Sequence, residues 1–97
     1  MAPYIPQNAH YAHVDVCEYY TEDIYKFMGK GGRRFYNLTH KLNLKYLWFN
    51  TEIKVIEIWA SYESMLNNPI EIIKKDLIKF MSKIHIGQTE DGGVQTN

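Results

Sequence analysis

The sequence predicts an α+β domain in which three helices pack on one face of a three-stranded sheet, in the order β-α-α-β-β-α. Three observations predict this class. Short runs of β-branched and aromatic residues occur at three places, two short amphipathic segments separate the first run from the second, and a long helical stripe follows the third. Packing the helices on one face of the small sheet buries the apolar faces of both.

The first strand is predicted at residues 13–18, where Val14 and Val16 alternate with polar residues. Cys17 lies in this run, and a small buried residue is the role we expect for it. Residues 1–12 contain two prolines and show no period, so they are predicted to form an extended arm.

Two short helices are predicted next. Thr21 suits the N-cap of the first, with Glu22 and Asp23 in its first turn, and Gly29 ends it. The second runs from residue 33 to 42, and Asn43 supplies the left-handed stop. Their apolar stripes consist of Ile24, Phe27 and Met28 in the first helix and Phe35, Leu38 and Leu42 in the second.

A β-hairpin and a long helix complete the predicted domain. The hairpin joins residues 44–50 to residues 53–59 through a turn at residues 50–52, with Val55 facing opposite to Ile56 and Ile58. Ser61 is a candidate cap for the final helical region, and Pro69 suits a first helical position. The apolar stripe of this helix is Ile70, Ile73, Leu77, Phe80 or Met81, and Ile84, with Lys74, Lys75, Lys79 and Lys83 outside. Gly87 is predicted to end the helix, which leaves residues 13–86 as the domain and residues 87–97 as a flexible tail.

The charge of the chain is neutral in total but unevenly distributed. No Asp or Glu occurs from residue 24 to residue 51, whereas this segment holds 6 of the 11 basic residues. The segment therefore carries a charge of +6 and the remainder carries −6. A local basic patch of this kind indicates phosphate binding, although a solvated basic helix face is the alternative.

Other features exclude several classes. One cysteine forms no internal disulfide, and no apolar run is long enough to span a bilayer or resembles a secretory signal, so we expect an intracellular protein, cytoplasmic or nuclear, without a membrane. His10, His13 and Cys17 lack the further ligand that a tetrahedral metal site needs. No nucleophile, acid and base occur in a catalytic pattern, so we expect no enzyme, no metal and no cofactor.

The most informative motif is Gly29-Lys30-Gly31-Gly32, a Gly-x-x-Gly turn between the two short helices. Glycine permits positive φ and leaves no side chain between the protein backbone and a ligand. Helix ends beside such a turn offer unpaired N–H groups to phosphates.

Because this turn lies between the two short helices, residues 13–84 resemble a K-homology (KH) domain of the eukaryotic type I arrangement. Phe27-Met28 before the glycines is similar to the apolar lead of the family signature, and Leu38 follows at the family spacing. The stretch Val55–Glu63 is similar to the family's entry into its last helix. The resemblance implies binding of single-stranded RNA or DNA, RNA in preference to DNA, by a backbone clamp and an apolar groove.

Carried over by position, the resemblance implies a nucleic-acid site made of the loop, its flanks and the second strand. Which face of that strand forms the groove floor stays open, because Tyr46 and Trp48 share one face and Leu47 and Phe49 the other. The implied binding residues are Gly29, Lys30, Gly31, Gly32, Arg33, Arg34, Tyr25, Met28, Tyr36, Lys41, Lys45, Tyr46 and Trp48.

The chain departs from the family pattern in its second strand, which is aromatic, and in Pro69 within the last helix. The aromatic second strand, the amphipathic last helix and the neutral total charge support an alternative. In that alternative the fold serves as a protein–protein or homodimerisation module that binds no nucleic acid.

Overall fold

A computed structural model describes residues 5–89 of the chain, with side chains described as far as Ile84. Its elements follow in the order β1 (His10–Asp15), α1 (Thr21–Met28), α2 (Arg33–Lys41), β2 (Tyr46–Asn50), β3 (Val55–Ala60) and α3 (Asn67–Thr89). The strands form one antiparallel sheet in the spatial order β1-β3-β2. The predicted α+β class and the β-α-α-β-β-α order are confirmed.

The register of the sheet sorts its residues onto two faces. Val14 pairs with Ile56, which pairs with Phe49, and these three side chains are buried in the core. The neighbouring row on the same face is Ala12, Ile58 and Leu47. Since successive strand residues alternate, Val55 lies on the opposite face from Ile56 and Ile58, as predicted.

All three helices contribute to the core on that one face. Ile24 and Phe27 of α1 are fully buried, and the Phe27 ring packs edge-on against Phe35 of α2 and Phe80 of α3, with centroid distances of 6.2 Å and 5.6 Å. The stripe of α3 is as predicted, with Ile73, Leu77 and Met81 buried and Ile70, Phe80 and Ile84 packed beside them. Phe27 is therefore the point at which the three helices meet.

The first strand lies three residues earlier than predicted. β1 starts at His10, inside the predicted arm, because its register with β3 continues to Ala60. Cys17 lies beyond the strand and is exposed, so the expectation of a buried cysteine is wrong. Thr21 is the first residue of α1 and not its N-cap. That position belongs to Tyr20, whose carbonyl accepts the N–H groups of Asp23 and Ile24.

The hairpin turn is longer than predicted. The Asn50 side chain accepts the backbone N–H groups of Glu52 (3.0 Å) and Ile53 (3.4 Å), which organises a turn through residue 54. β3 therefore starts at Val55, and Ile53, predicted to lie in the strand, is exposed in the turn. Side-chain hydrogen bonding by Asn to a following N–H is a turn-forming device that competes with strand extension.

The start and end of the last helix also differ from the prediction. Ser61 caps no helix, because a short 3₁₀ turn (Glu63–Met65) with Tyr62 at its N-cap comes before α3. Pro69 is the third residue of α3, still in the first turn, where a missing N–H costs nothing. The helix continues through Gly87 to Thr89, because glycine disfavours a helix by only about 1 kcal/mol. Residues 1–4 of the predicted arm and 90–97 of the predicted tail lie outside the described residues.

Candidate nucleic-acid interface

The Gly-x-x-Gly segment forms a tight loop between α1 and α2. Gly29 ends α1 with φ 87° and ψ 161°, and the next three residues form a 3₁₀ turn (Lys30–Gly32) in which Gly31 and Gly32 also have positive φ, 65° and 76°. The Gly32 N–H donates to the Gly29 carbonyl at 2.9 Å, which closes the loop. The predicted role of Gly29 as the end of α1 is confirmed.

The three glycines of the loop have different physical roles. A Cβ on Gly29 would lie 2.9 Å from the backbone N of Arg34, so the fold itself excludes a side chain there. A Cβ on Gly31 or Gly32 would meet nothing within 4 Å. The open backbone of the loop, which a ligand can approach, is therefore Gly31 and Gly32.

An elongated groove of about 650 Å³ runs from these two glycines along α2 to the edge strand β2. Its apolar floor contains Phe35, Leu44 and Leu47, which are buried in the core. The remaining lining residues are Met28, Gly31, Gly32, Tyr36, Thr39, His40, Lys45, Tyr46 and Trp48. Seven of the thirteen residues implied by sequence line this groove: Met28, Gly31, Gly32, Tyr36, Lys45, Tyr46 and Trp48.

The structure decides which face of β2 meets the helices. Leu47 and Phe49 are on the core side, and Leu47 contributes to the groove floor. Tyr46 and Trp48 are on the other face and line the groove from its rim. β2 is an edge strand, so one side of it pairs with no other strand of the described sheet.

Aromatic side chains stand at both walls of the groove. On α2, the Tyr36 ring contacts the His40 ring edge-on at 4.5 Å, and Tyr36 is 66% exposed. On β2, the rings of Tyr46 and Trp48 are nearly parallel, with centroids 6.5 Å apart. Thr39 and His40 are not among the residues predicted from the sequence, although the four-residue spacing of Tyr36 and His40 on a helix places these two on one face.

Tyr25 lies beyond one end of the groove. Its ring packs edge-on against Phe49 at 5.6 Å, and it borders a smaller hollow of about 220 Å³. Met28 and Trp48 line both this hollow and the groove, so the two concavities are neighbours.

The basic residues of the segment lie mainly on the other side of α2. A second concavity, of about 390 Å³, lies between α2 and α3 and includes one acid, Asp76. The sequence-implied residues that line it are Gly29, Lys30, Arg33, Arg34 and Lys41. Lys45 is the basic residue among those lining the groove. Apart from Tyr25, the sequence-implied site is therefore divided between two surfaces that meet at the loop.

Arg34 is held in place by two rings of the core. Its guanidinium carbon lies 5.5 Å from the centroid of Phe27 and 5.1 Å from that of Phe80. Arginine favours such stacking because its planar cation is weakly hydrated and meets the negative face of a ring. The side chain is nonetheless exposed.

The face of the sheet opposite the helices carries a row of rings. Tyr11 contacts Trp59 at 5.3 Å and His13 at 5.9 Å, and Trp59 contacts Tyr46 at 5.7 Å. The Tyr11 hydroxyl donates to Glu57 at 2.9 Å. Burial, this hydrogen bond and the charge of Glu57 raise the pKa of Tyr11 to about 12.

Cys17 is exposed, but its surroundings disfavour the reactive thiolate form. Hydrogen bonding to Asp15 and the negative charge of that carboxylate raise the pKa of the Cys17 thiol, which disfavours the thiolate at neutral pH. Within the described residues, no cluster of three or more His, Cys, Asp or Glu side chains is arranged to hold a metal ion.

No family model, curated protein or solved structure matches this chain. Within residues 5–89, even the 23-residue α3 lacks the apolar stretch needed to cross a lipid bilayer.

Proposed function

We propose that this chain is a KH-like domain that binds single-stranded nucleic acid, RNA in preference to DNA. The observation that carries the proposal is the open backbone of Gly31 and Gly32 at the head of a groove walled by α2 and the edge strand β2. The order of elements and of strands is compatible with the type I arrangement that the sequence resembles.

The loop would hold the phosphate backbone of the ligand. Gly32 is the N-cap of α2, and among the described residues no side chain caps that end or places an acid in its first turn. The Arg33 N–H donates to the Lys30 carbonyl, whereas the helix dipole and the remaining N–H groups of the first turn of α2 favour negative charge at this end. Gly31 and Gly32 let a phosphate approach these groups without a side chain in the way.

The groove would hold the bases. Its floor is apolar, and Tyr36 and His40 on one wall face Tyr46 and Trp48 on the other. Stacking of a base on an aromatic side chain contributes about 1–3 kcal/mol and tolerates any base. A KH domain grips about four nucleotides, so binding through this groove alone is expected to be weak and sensitive to salt.

The function requires no catalysis, metal or cofactor of its own. A nucleic-acid ligand would place it inside the cell, in the cytoplasm or the nucleus.

The test is the double variant G31D/G32D against a charge-matched control, S64D/S82D. Both glycines have left-handed φ, which Asp tolerates better than most residues, and no atom lies within 4 Å of an added Cβ. Ser64 and Ser82 are exposed and remote from the lining of the groove. Binding of labelled tetranucleotides of RNA and DNA is measured by fluorescence anisotropy at low salt.

We expect the wild-type chain and S64D/S82D to bind the RNA tetranucleotide, and G31D/G32D to lose binding. Circular dichroism spectra of the three proteins should superimpose. Equal affinity of both double variants, or no binding by the wild-type chain, would refute the proposed function.

A second candidate function is supported by the row of rings on the open sheet face. Tyr and Trp are enriched at the centres of protein interfaces, and Tyr11 is 46% exposed on this face. In this alternative the fold docks a protein or a second copy of itself and binds no nucleic acid. Light scattering should then give a dimer mass that Y11S lowers to that of a monomer, whereas a monomeric wild-type chain would exclude self-association.

A further inference from the structure

We propose that the concavity between α2 and α3 is a phosphate-binding site centred on Arg34, which takes phosphates of the nucleic acid that flanks the groove. This inference rests on the proposed function for the source of the phosphates. The site requires several cations around a space large enough for phosphate groups. These cations are present whether the phosphates belong to a nucleic acid or are free in solution.

The lining of the concavity is strongly cationic. Lys30, Arg33, Arg34 and Lys41 surround a space of about 390 Å³, in which Asp76 is the acid. A concave surface of one charge focuses the field and attracts counter-ions more strongly than a flat one. Asn37, which also lines the space, adds a neutral hydrogen-bond donor.

Arg34 is the residue best prepared to bind a phosphate there. Its guanidinium stacks on the rings of Phe27 and Phe80, and Phe27 is fully buried, so this support is rigid. A guanidinium carries five N–H donors along its edges, which suit a bidentate contact with an oxyanion. Among the described residues, Arg34 forms no hydrogen bond or ion pair that would occupy those edges. Little side-chain freedom remains to be lost on binding.

The concavity and the groove are continuous across the loop. Gly29 and Lys30 border the concavity, whereas Gly31 and Gly32 border the groove. On α2, Arg33 and Lys41 lie two turns apart on the concavity side. A strand that leaves the groove over the loop would meet these cations next, so a ligand longer than the groove should make additional phosphate contacts.

The experiment compares a tetranucleotide, which fills the groove, with a dodecanucleotide, and uses inorganic tripolyphosphate as a separate probe. The variant is R33Q/K41Q, which removes two exposed cations of the concavity. The charge-matched control is K26Q/K74Q, whose lysines line neither the concavity nor the groove. R34K keeps the positive charge at the centre of the concavity and removes the planar guanidinium. Affinities for both oligonucleotides are measured from low to high salt.

We expect the dodecanucleotide to bind more tightly than the tetranucleotide and with a steeper dependence on salt. In R33Q/K41Q the negative slope of log affinity against log salt for the dodecanucleotide should become shallower by about 1.4, since each phosphate contact with a single strand contributes about −0.7. The tetranucleotide should be unaffected, and K26Q/K74Q should behave as the wild-type chain. R34K should weaken the dodecanucleotide alone.

Three other outcomes are decisive. If both double variants bind the dodecanucleotide alike while the tetranucleotide still binds, the inference is wrong and the proposed function stands. If neither oligonucleotide binds but tripolyphosphate does, and only R33Q/K41Q and R34K lose it, the site takes free phosphates and the proposed function fails. If none of the three probes binds, both are refuted.

Discussion

Replacing Gly29 with alanine is expected to destabilise the domain far more than the same replacement at Gly31 or Gly32. Gly29 has φ 87° and ψ 161°, a region that only glycine occupies readily and that costs another residue about 1–3 kcal/mol. The added Cβ would also lie 2.9 Å from the backbone N and 3.3 Å from the Cβ of Arg34, so α2 must shift. Overpacking of this kind costs a further ~1–3 kcal/mol.

The same change at the other two glycines is much milder. Their left-handed conformation is unfavourable for alanine by about 1–2 kcal/mol. The lower entropy of the unfolded variant stabilises its folded state by ~0.4–1 kcal/mol. When the same gain from the unfolded chain is subtracted, Gly29→Ala should lower the free energy of unfolding by about 2–5 kcal/mol. A domain of this length is typically stable by only ~5–15 kcal/mol, so the loss is a large fraction of the total.

The free energies of unfolding of the three variants are compared by urea unfolding followed by tryptophan fluorescence. Since 1 kcal/mol shifts the melting temperature of a small domain by about 4–8 °C, a thermal melt should also place Gly29→Ala well below the other two. Equal stability of Gly29→Ala and Gly31→Ala would refute the assignment of Gly29 to the packing of α2.

Three further predictions concern stability and titration. Phe27→Ala should lower the free energy of unfolding in urea by about 3–5 kcal/mol, because this ring is fully buried where three helices meet; a loss below ~1 kcal/mol would contradict that packing. Asn43→Val should cost about 1–2 kcal/mol in the same assay, because Asn43 has φ 56° and a β-branched residue resists that conformation, whereas Asn43→Gly should cost little. In an ultraviolet titration, Tyr11 should ionise with a pKa of about 12, against the usual 10.0 for tyrosine, and Glu57→Gln should bring the pKa back towards that usual value. Because the folded pKa is raised, the stabilising contribution of Tyr11 is complete below pH 10 and is lost as the pH rises to 12, so unchanged stability across that window would contradict the pairing with Glu57.

The sequence predicted the order of elements because each carries a local signal. The spacing of Ile73, Leu77 and Met81 marks a helix by itself, and Gly29 and Asn43 end helices through their own backbone preferences. The errors in β1 have a different origin. Pairing with β3 across the sheet, and not the alternation around Val14, decides where this strand begins and ends.

The candidate site was predicted in part. The loop and the aromatic strand were predicted because glycines indicate a turn and aromatic residues indicate a strand from residue type alone. The separation of Arg33, Arg34 and Lys41 from the groove was not found, because it depends on which side of α2 each residue faces and on the position of α3. Helical spacing relates residues within α2, but the position of α3 beside it depends on contacts between residues distant in sequence.

The central position of β3 has a consequence for how the chain folds. β2 and β3 are joined by a short turn and can pair soon after both exist, whereas His10 must pair with Ala60 and Asp15 with Val55. Closing that long loop carries the larger entropic cost, so the docking of β1 should limit the folding rate. At a synthesis rate of ~5–20 residues per second, β3 is completed several seconds after β1. The Gly-x-x-Gly loop lies inside the segment that this pairing closes, so its final position against the sheet should be set only when β1 docks.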